Sequence, residues 1–329
     1  MRKLLLGTTA LAAAATITAN AALADVTISG SYEFKYLSRS SNDAANDGTS
    51  FIHGDTDMVV NFTNKTDSGL DVTFRYDIGA VGSTDGGNLT IDEASLAIAG
   101  GFGKIVLGMD DDAGDAYNID EMDLIAEEPS VTVTSSSIST SSGVGGDDKM
   151  KVAYHLPAMG GLTAGVSHTD SGNAGTADVT SYGAQYAMSA GGAAITVAYA
   201  HINEDNSTED KSQTSTGLKI VSGDISLVLS QMSYEESDED RDNQGASISY
   251  KLPNGMTVGA FTFKSEDDDD AGEEMSVSGA EFQYNIASGL KATISVSDYD
   301  YKVTASTIET ARATNDSGTA TQLTIGASF

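Results

Sequence analysis

The chain is most informative in what it has little of. Its 329 residues include no cysteine, no tryptophan and only three prolines, and 17 basic residues stand against 48 acidic ones. Without cysteine, neither disulfides nor thiolate metal sites can stabilise the fold. A formal net charge of −31 argues against nucleic acid and anionic surfaces as partners. The four histidines show no H-E-x-x-H spacing and there is no G-x-S-x-G, so these hydrolase motifs are excluded.

Long hydrophobic runs are also missing, apart from one at the start of the chain. Arg2-Lys3 precedes an apolar, alanine-rich stretch, and Ala22-Leu23-Ala24 matches a small-x-small cleavage site. This pattern predicts a secretory signal peptide, residues 1–24, that is cleaved before Asp25. A membrane-anchoring helix is disfavoured because the run is short and ends in small residues. Elsewhere no stretch approaches the about 18 consecutive apolar residues that a spanning helix needs.

The remainder, residues 25–329, is dominated by alternation of apolar and polar side chains. In the last nine residues Leu323, Ile325, Ala327 and Phe329 alternate with polar or small residues. A period of two indicates a β-strand with one apolar face, and no window shows a sustained helical period. The same alternation recurs at Val26–Tyr36, Leu70–Ile78, Met150–Leu156, Ile195–Tyr199, Leu218–Ile220, Ile225–Leu229, Ile248–Leu252, Phe282–Ile286 and Leu290–Val296.

Short turns marked by glycine or proline recur about every 32 residues, and one interval is about 25 residues longer. They lie at Lys65–Gly69, Gly100–Gly103, Pro157–Gly161, Ala190–Gly192, Ser222–Asp224, Pro253–Gly255 and Ala287–Gly289. Longer, mostly acidic segments separate them, at Ser38–Asp55, Ile78–Asn88, Asp110–Asp148, Thr169–Ala177, Asn203–Asp210, Glu235–Asp242, Glu266–Glu274 and Asp300–Gly318. Seven short turns and eight long loops join sixteen strands, which is the pattern of outer-membrane β-barrels.

Two other folds share parts of this pattern. A soluble β-sandwich also alternates, but sixteen evenly spaced strands without an interdomain linker disfavour it. A solenoid would explain the repeat, but the repeats share no residue motif and their loops differ in length. The missing tryptophan departs from the usual aromatic girdle, which tyrosine and phenylalanine near strand ends can replace. The sequence therefore predicts an all-β protein, a transmembrane sixteen-stranded antiparallel β-barrel.

A resemblance to a known family rests on four features. They are the start Ala24-Asp25-Val26-Thr27-Ile28-Ser29-Gly30, the sixteen-strand rhythm, one long internal loop and the terminal Phe329. Together these resemble a Gram-negative outer-membrane general porin of the alphaproteobacterial, Rhodobacter-like type. The resemblance implies a bacterial outer-membrane location, a homotrimer, and a water-filled pore narrowed by the third long loop. It also implies outer-membrane lipid and the assembly machinery as partners, with Phe329 as the membrane-assembly signal.

The exceptional loop, Asp110–Asp148, is the third long one and follows the fifth strand. Loops of about 39 residues are usually functional or disordered, so we expect this one to fold into the lumen and constrict the pore. The alternative is a solvated outer loop whose charge only keeps it soluble. Its acidic half supplies the candidate constriction residues Asp110, Asp111, Asp112, Asp115, Asp120, Glu121 and Asp123.

Basic side chains on the lumen face would oppose these carboxylates and set a transverse field. Lys35 and Arg75 are the candidates, since both lie well inside their strands. Four other lysines are interpreted as solvated or snorkelling residues at the periplasmic rim. They are Lys104, Lys151, Lys251 and Lys291.

Three further acidic runs fall in predicted outer loops, at Glu204–Asp210, Glu235–Asp242 and Glu266–Glu274. The last includes a candidate Ca²⁺ or Mg²⁺ site, because clustered carboxylates suit these cations. Its residues are Asp267, Asp268, Asp269 and Asp270. No run has EF-hand spacing, so a solvated acidic surface is the alternative. Together with the net charge, the runs predict a preference for cations.

The predicted function is that of an outer-membrane porin. Such a channel passes small hydrophilic solutes and ions by passive diffusion, with no enzymatic turnover and no required cofactor. The alternatives are a substrate-specific outer-membrane channel and an exported structural or adhesive β protein.

Overall fold

The computed structural model describes residues 25–42, 47–54, 56–80, 90–120, 123–125, 144–146, 149–170, 172, 177–205, 210–236, 239–267, 274–302 and 315–329. The strands are β1 Asp25–Ser41, β2 Gly48–His53, β3 Thr56–Lys65, β4 Asp71–Ala80, β5 Thr90–Gly100, β6 Gly103–Asp110, β7 Lys149–His155, β8 Leu162–Thr169, β9 Asp178–Ala190, β10 Ala193–Asp205, β11 Lys211–Ser222, β12 Ile225–Glu236, β13 Glu239–Lys251, β14 Thr257–Asp267, β15 Glu274–Ala287, β16 Leu290–Lys302 and β17 Asp316–Ser328. One turn of 3-10 helix, Asp115–Tyr117, lies between β6 and β7. Within these ranges no helix is long and apolar enough to cross a membrane.

The strands form one closed antiparallel sheet. Apart from β2 and β3, strands that follow one another in the chain pair with each other, and β17 returns to β1 with Ser31 opposite Ser328 and Ser41 opposite Gly318. Both β2 and β3 pair with the same edge of β1, so they form one interrupted strand and the barrel has sixteen. Closure matters because an open edge would leave unpaired backbone groups in lipid. The predicted sixteen-stranded barrel, closed by the last strand, is confirmed.

All seven short turns predicted from the sequence are present, and they lie at one end of the barrel. The turn between β9 and β10 shows why glycine marks them. Gly191 and Gly192 have φ angles of 58° and 87°, which glycine adopts without a Cβ clash. Short turns of outer-membrane barrels face the periplasm, so the longer connections lie on the outer side.

Two of these longer connections are shorter than predicted. Only residues 237–238 separate β12 from β13, so most of the acidic segment Glu235–Asp242 is strand. Inward side chains stabilise this hairpin, since the Arg241 guanidinium lies 4.8 Å from the Tyr234 ring centroid and both residues are buried. The segment Ser38–Asp55 is also mostly strand, because β1 and β2 pair through it. The prediction of long outer loops was wrong at these two places.

The two faces of the wall differ as the alternation requires. Outward positions carry large apolar side chains that remain exposed, whereas lumen-facing positions between them are mostly polar or small. Examples of outward residues are Val26, Phe34, Phe74, Leu107, Val152, Val197, Leu229, Ile248 and Ile294. A soluble domain would bury such a face, but a membrane barrel presents it to lipid. The predicted signal peptide, residues 1–24, lies outside the described residues and stays a prediction.

Candidate functional site

The third long loop lies inside the barrel. Its described residues, 111–120, 123–125 and 144–146, are called the inner loop. Tyr117, Ile119 and Ile125 of this loop are buried. Ile119 packs against Ala198 and Val228, which face inward from β10 and β12, and Ile125 joins a buried cluster on β14 to β16. The inner loop therefore covers the lumen side of the wall, as expected from its length and order.

Glycines on the lumen face make room for the inner loop. A Cβ built on Gly165 or Gly183 would lie 2.8 or 2.9 Å from atoms of Tyr117. A Cβ on Gly217 would lie 2.4 Å from the carbonyl oxygen of Ile119. Real Cβ atoms do not approach so closely, so a larger residue at any of these positions must displace the loop or the wall.

Two further contacts hold the inner loop closely against the wall, one at Ile125 and one at Tyr117. On β14, a Cβ on Gly259 would lie 2.7 Å from Cδ1 of Ile125. On β7, His155 Nδ1 is hydrogen-bonded to the Tyr117 hydroxyl at 2.8 Å. Burial raises the pKa of the Tyr117 hydroxyl, so this hydrogen bond involves a neutral phenol. The inner loop is thus held across several strands rather than at one point.

A buried ion pair joins the start of the inner loop to the wall. Lys151 Nζ lies 3.1 Å from Asp112 Oδ1, and the two side chains are 0% and 1% exposed. The Asp112 carboxylate also accepts hydrogen bonds from the Gly146 amide and the Ser167 hydroxyl, and Lys151 donates to the Asp110 carbonyl. Because Gly146 lies in the returning part of the loop, one carboxylate connects both ends of the loop and the wall.

Wall serines satisfy backbone groups of the inner loop. The Ala113 amide donates to the Ser167 hydroxyl at 2.9 Å, and the Gly114 amide donates to the Ser181 hydroxyl at 2.7 Å. Both serines are buried. Since buried backbone donors are costly when unpaired, these contacts favour the seated position of the loop.

The predicted constriction carboxylates fall in different environments. Asp112 does not line water-filled space as expected, because its side chain is buried against Lys151. Asp123 Oδ2 lies 3.1 Å from Lys219 Nζ on β11, which ties the loop to a further strand. Of the others, Asp111 and Asp115 are exposed, Asp110 and Asp120 are half-buried, and Glu121 lies outside the described residues.

Lys35 and Arg75 face the lumen as predicted, but carboxylates of their own wall surround them. Arg75 lies 2.6 Å from Asp77 and 2.6 Å from Glu93, and Lys35 lies 3.1 Å from Glu33. Residues two apart on a strand share a face, which brings Arg75 to Asp77 and Lys35 to Glu33. The positive charge of the wall is therefore compensated locally, and the expected contrast between a basic wall and an acidic loop is weakened.

The barrel and its inner loop match a known family. The family model for Gram-negative porin covers residues 7–329. The chain belongs to this family. Among solved structures, the anion-selective porin from Comamonas acidovorans is similar with a TM-score of 0.70 and 16% identity, over 93% of this chain and 100% of that chain. OmpT of Vibrio cholerae, folded in vitro and described as a trimer form, is similar with a TM-score of 0.67 and 13% identity, over 93% and 99%. No curated protein sequence matches.

This porin is therefore a channel-forming barrel of the bacterial outer membrane. Three of its lysines lie within two residues of short turns, as predicted for the rim: Lys104, Lys251 and Lys291. Lys151 differs, since it is the third residue of β7 at the long-loop end and is buried. The interpretation of Lys151 as a rim residue was wrong, because its partner in the inner loop is distant in the chain.

The candidate metal site of the porin lies mostly outside the described residues. Asp268, Asp269 and Asp270 belong to that part, while Asp267 ends β14 opposite Arg241 and is 6% exposed. Asp267 thus faces the lumen wall instead of a solvated outer loop. Across the described ranges, no group of three metal-ligating side chains is found. A Ca²⁺ or Mg²⁺ site at these residues stays a prediction.

Sequence reasoning missed several residues of the lumen. The position of Asp77 could have been predicted, because it follows Arg75 by two residues on a strand and must lie on the same face. The contact of Glu93 with Arg75 could not have been predicted from the sequence, since it depends on the pairing of β4 with β5 and on a bulge there. The inward glycines, such as Gly217, could be recognised only once the inner loop was seen against them.

Proposed function

We propose that this porin is a passive diffusion channel for small hydrophilic solutes and ions, that it prefers cations, and that no chemical turnover takes place in it. The observation that carries the proposal is the inner loop, seated in the lumen by the Lys151–Asp112 pair and by apolar contacts. A loop inside a water-filled barrel narrows the path. Its polar groups can replace part of the water around a passing solute, which disfavours apolar solutes.

The preference for cations rests on how the lumen charges are distributed. Lys35 and Arg75 have carboxylate partners on the wall, and Lys219 has Asp123 of the loop. The inner loop brings exposed carboxylates such as Asp111 into the lumen, and the whole chain has a formal net charge of −31. Fixed negative charge along a narrow path raises the local concentration of cations. The Comamonas porin is described as anion-selective, but at 16% identity its lumen residues need not be shared.

Planar-bilayer recording of the purified protein tests the proposal. We expect large stepwise openings. In a KCl gradient, the sign of the reversal potential should show that K⁺ permeates more readily than Cl⁻. A reversal potential of the opposite sign would refute the cation preference alone. A protein that inserts no channels would refute the porin function. Saturable block by one solute at low concentration would instead support the substrate-specific alternative.

We also propose that the porin is a homotrimer that contacts its copies through the flank of β1 to β4. The outer side of this flank carries paired aromatic rings, with centroids of Phe34 and Phe51 at 5.6 Å and of Phe62 and Phe74 at 6.0 Å. Aromatic residues are enriched in protein interfaces. Chemical crosslinking in mild detergent should give a ladder that ends at three copies, and a species that stays monomeric would exclude the trimer.

A further inference from the structure

The apolar outer surface of the barrel is not equally tall around its circumference. Ile78 is the eighth residue of β4 counted from the short-turn end, and it is apolar and faces outward. Val296, the seventh residue of β16 counted from the same end, is also apolar and outward-facing. At corresponding positions β12 and β13 carry Gln231 and Gln244, and both glutamines are exposed. The apolar surface therefore ends earlier on one side of the barrel than on the other.

The polar residues on that side form two continuous rows. In the first row neighbouring residues are direct partners across β11 to β14, namely Thr216, Gln231, Gln244 and Lys264. The second row lies two residues nearer the long-loop end and consists of Thr214, Ser233, Asp242 and Glu266. These eight residues are called the polar flank. Below them the outward positions of β11 to β13 are apolar or small, for example Leu218, Leu229 and Ala246.

The packing of the inner loop shows that the polar flank faces outward. Gly217 and Val228 meet Ile119 on the lumen side, and Gly259 meets Ile125. Side chains alternate along a strand, so the neighbours of these wall residues point away from the lumen. The polar flank consequently lies on the surface that a membrane barrel presents to its surroundings.

The position of the polar flank conflicts with a hydrocarbon layer of uniform thickness. A spanning strand needs about nine to eleven residues, and the first row begins at the seventh or eighth. A charged lipid-facing side chain is costly near the midplane and nearly neutral close to an interface. Lys264 forms ion pairs with Glu266 and, at 3.7 Å, with Glu274, and these groups are partly exposed. Partly exposed ion pairs of this kind belong in a hydrated layer.

We propose that the membrane is locally thinned at β11 to β14, where lipid headgroups and their water descend along the barrel and contact the polar flank. The inference rests on the outer-membrane porin assignment and adds an interaction surface to it. Hydroxyl and amide side chains of the flank can hydrogen-bond headgroup phosphates and water. A protein partner fits less well, because interfaces are enriched in aromatic residues and arginine and the eight flank residues include neither.

Site-directed spin labelling can test this proposal, because the chain has no native cysteine. Nitroxides are attached to Gln231→Cys and Gln244→Cys, and to the matched control Val296→Cys on β16, which lies outside the proposed trimer contact, in phosphatidylethanolamine–phosphatidylglycerol vesicles. Collision with a water-soluble nickel chelate should exceed collision with oxygen at the flank, and the order should reverse at the control. Oxygen-dominated collision at the flank would mean acyl-chain contact and would overturn the proposal. Low collision with both reagents would mean a protein cover and would overturn it too.

A second measurement uses the absence of native tryptophan. Gln244→Trp should be quenched weakly by lipids brominated at mid-chain, and Val296→Trp strongly. Equal quenching at both positions would contradict the proposal that the membrane is thinned at the polar flank. This test does not depend on whether the labelled cysteine variants fold. Conductance of the same variants separates the two proposals: channels that open while the flank reports acyl chains would refute the thinning and leave the porin function intact.

Discussion

Lys151 and Asp112 form an ion pair, with Nζ 3.1 Å from Oδ1, on the lumen side of the wall and out of contact with solvent. Lys151 belongs to β7 and Asp112 to the inner loop, so the pair determines where the loop leaves the wall. Removing one partner from such a pair leaves an uncompensated buried charge. The pair thus makes the position of the loop sensitive to single substitutions.

The variant Lys151→Met should destabilise the seated loop and the barrel, by about 3–5 kcal/mol if the buried Asp112 carboxylate is left unpaired. Release of the loop should raise single-channel conductance and its noise. Urea unfolding of the folded barrel and planar-bilayer recording measure the two effects. The control is Lys251→Met, at an exposed position next to a short turn, which should change neither. If Lys151→Met behaves like this control, the ion pair does not position the loop.

Substitution Gly217→Ala should displace the inner loop, because the new Cβ would lie 2.4 Å from the Ile119 carbonyl oxygen. Overpacking of this kind costs about 1–3 kcal/mol. We expect an altered conductance and a lower urea midpoint. Gly326→Ala is the matched control, since it also faces the lumen and its Cβ would have 4.0 Å to the nearest atom. Identical conductance of both variants would show that the loop does not depend on this glycine.

The variant Arg75→Gln should increase the preference for cations, because it removes the charge that balances Asp77 and Glu93. In water, a unit charge a few ångströms from a passing ion changes the energy of that ion by about 1 kcal/mol. A change of this size corresponds to roughly a fivefold rise in the K⁺ to Cl⁻ permeability ratio. Reversal potentials in KCl gradients report this ratio. The effect should fade near 1 M salt, where the screening length is about 3 Å.

Lys104→Gln serves as the control for Arg75→Gln, because Lys104 is exposed at the short-turn end of β6. It should alter selectivity less than Arg75→Gln. A shift of Arg75→Gln toward anions would contradict the assignment of negative charge to this part of the lumen.

Deletion of Phe329 should impair assembly more than conduction. Its side chain is 86% exposed, and its backbone exchanges hydrogen bonds with Gly30 of β1 at 2.9 and 3.4 Å. We expect several-fold less folded barrel in the outer membrane, measured by heat-dependent gel mobility, while channels that do form conduct normally. Phe329→Tyr retains an aromatic end and should assemble. Normal assembly with reduced conductance would oppose the assembly-signal prediction.

Much of the fold could be predicted because its determinants are local. The alternation that ends in Leu323, Ile325 and Phe329 reports which side chains share a face, and this holds in any strand. Gly191 and Gly192 report a tight turn because of the φ angles that they permit. The predicted lengths of two loops were wrong because tertiary contacts, such as that between Tyr234 and Arg241, extend the strands into those segments.

The sequence alone determined that this chain forms strands with one apolar face, that short turns alternate with longer segments, and that one loop is exceptional. These features depend on neighbouring residues and on backbone geometry. Only the tertiary structure decided that Asp112 meets Lys151, that Ile119 lies over Gly217, and that Arg75 is balanced on its own wall. Such contacts join distant positions, and strand register and barrel closure bring them together.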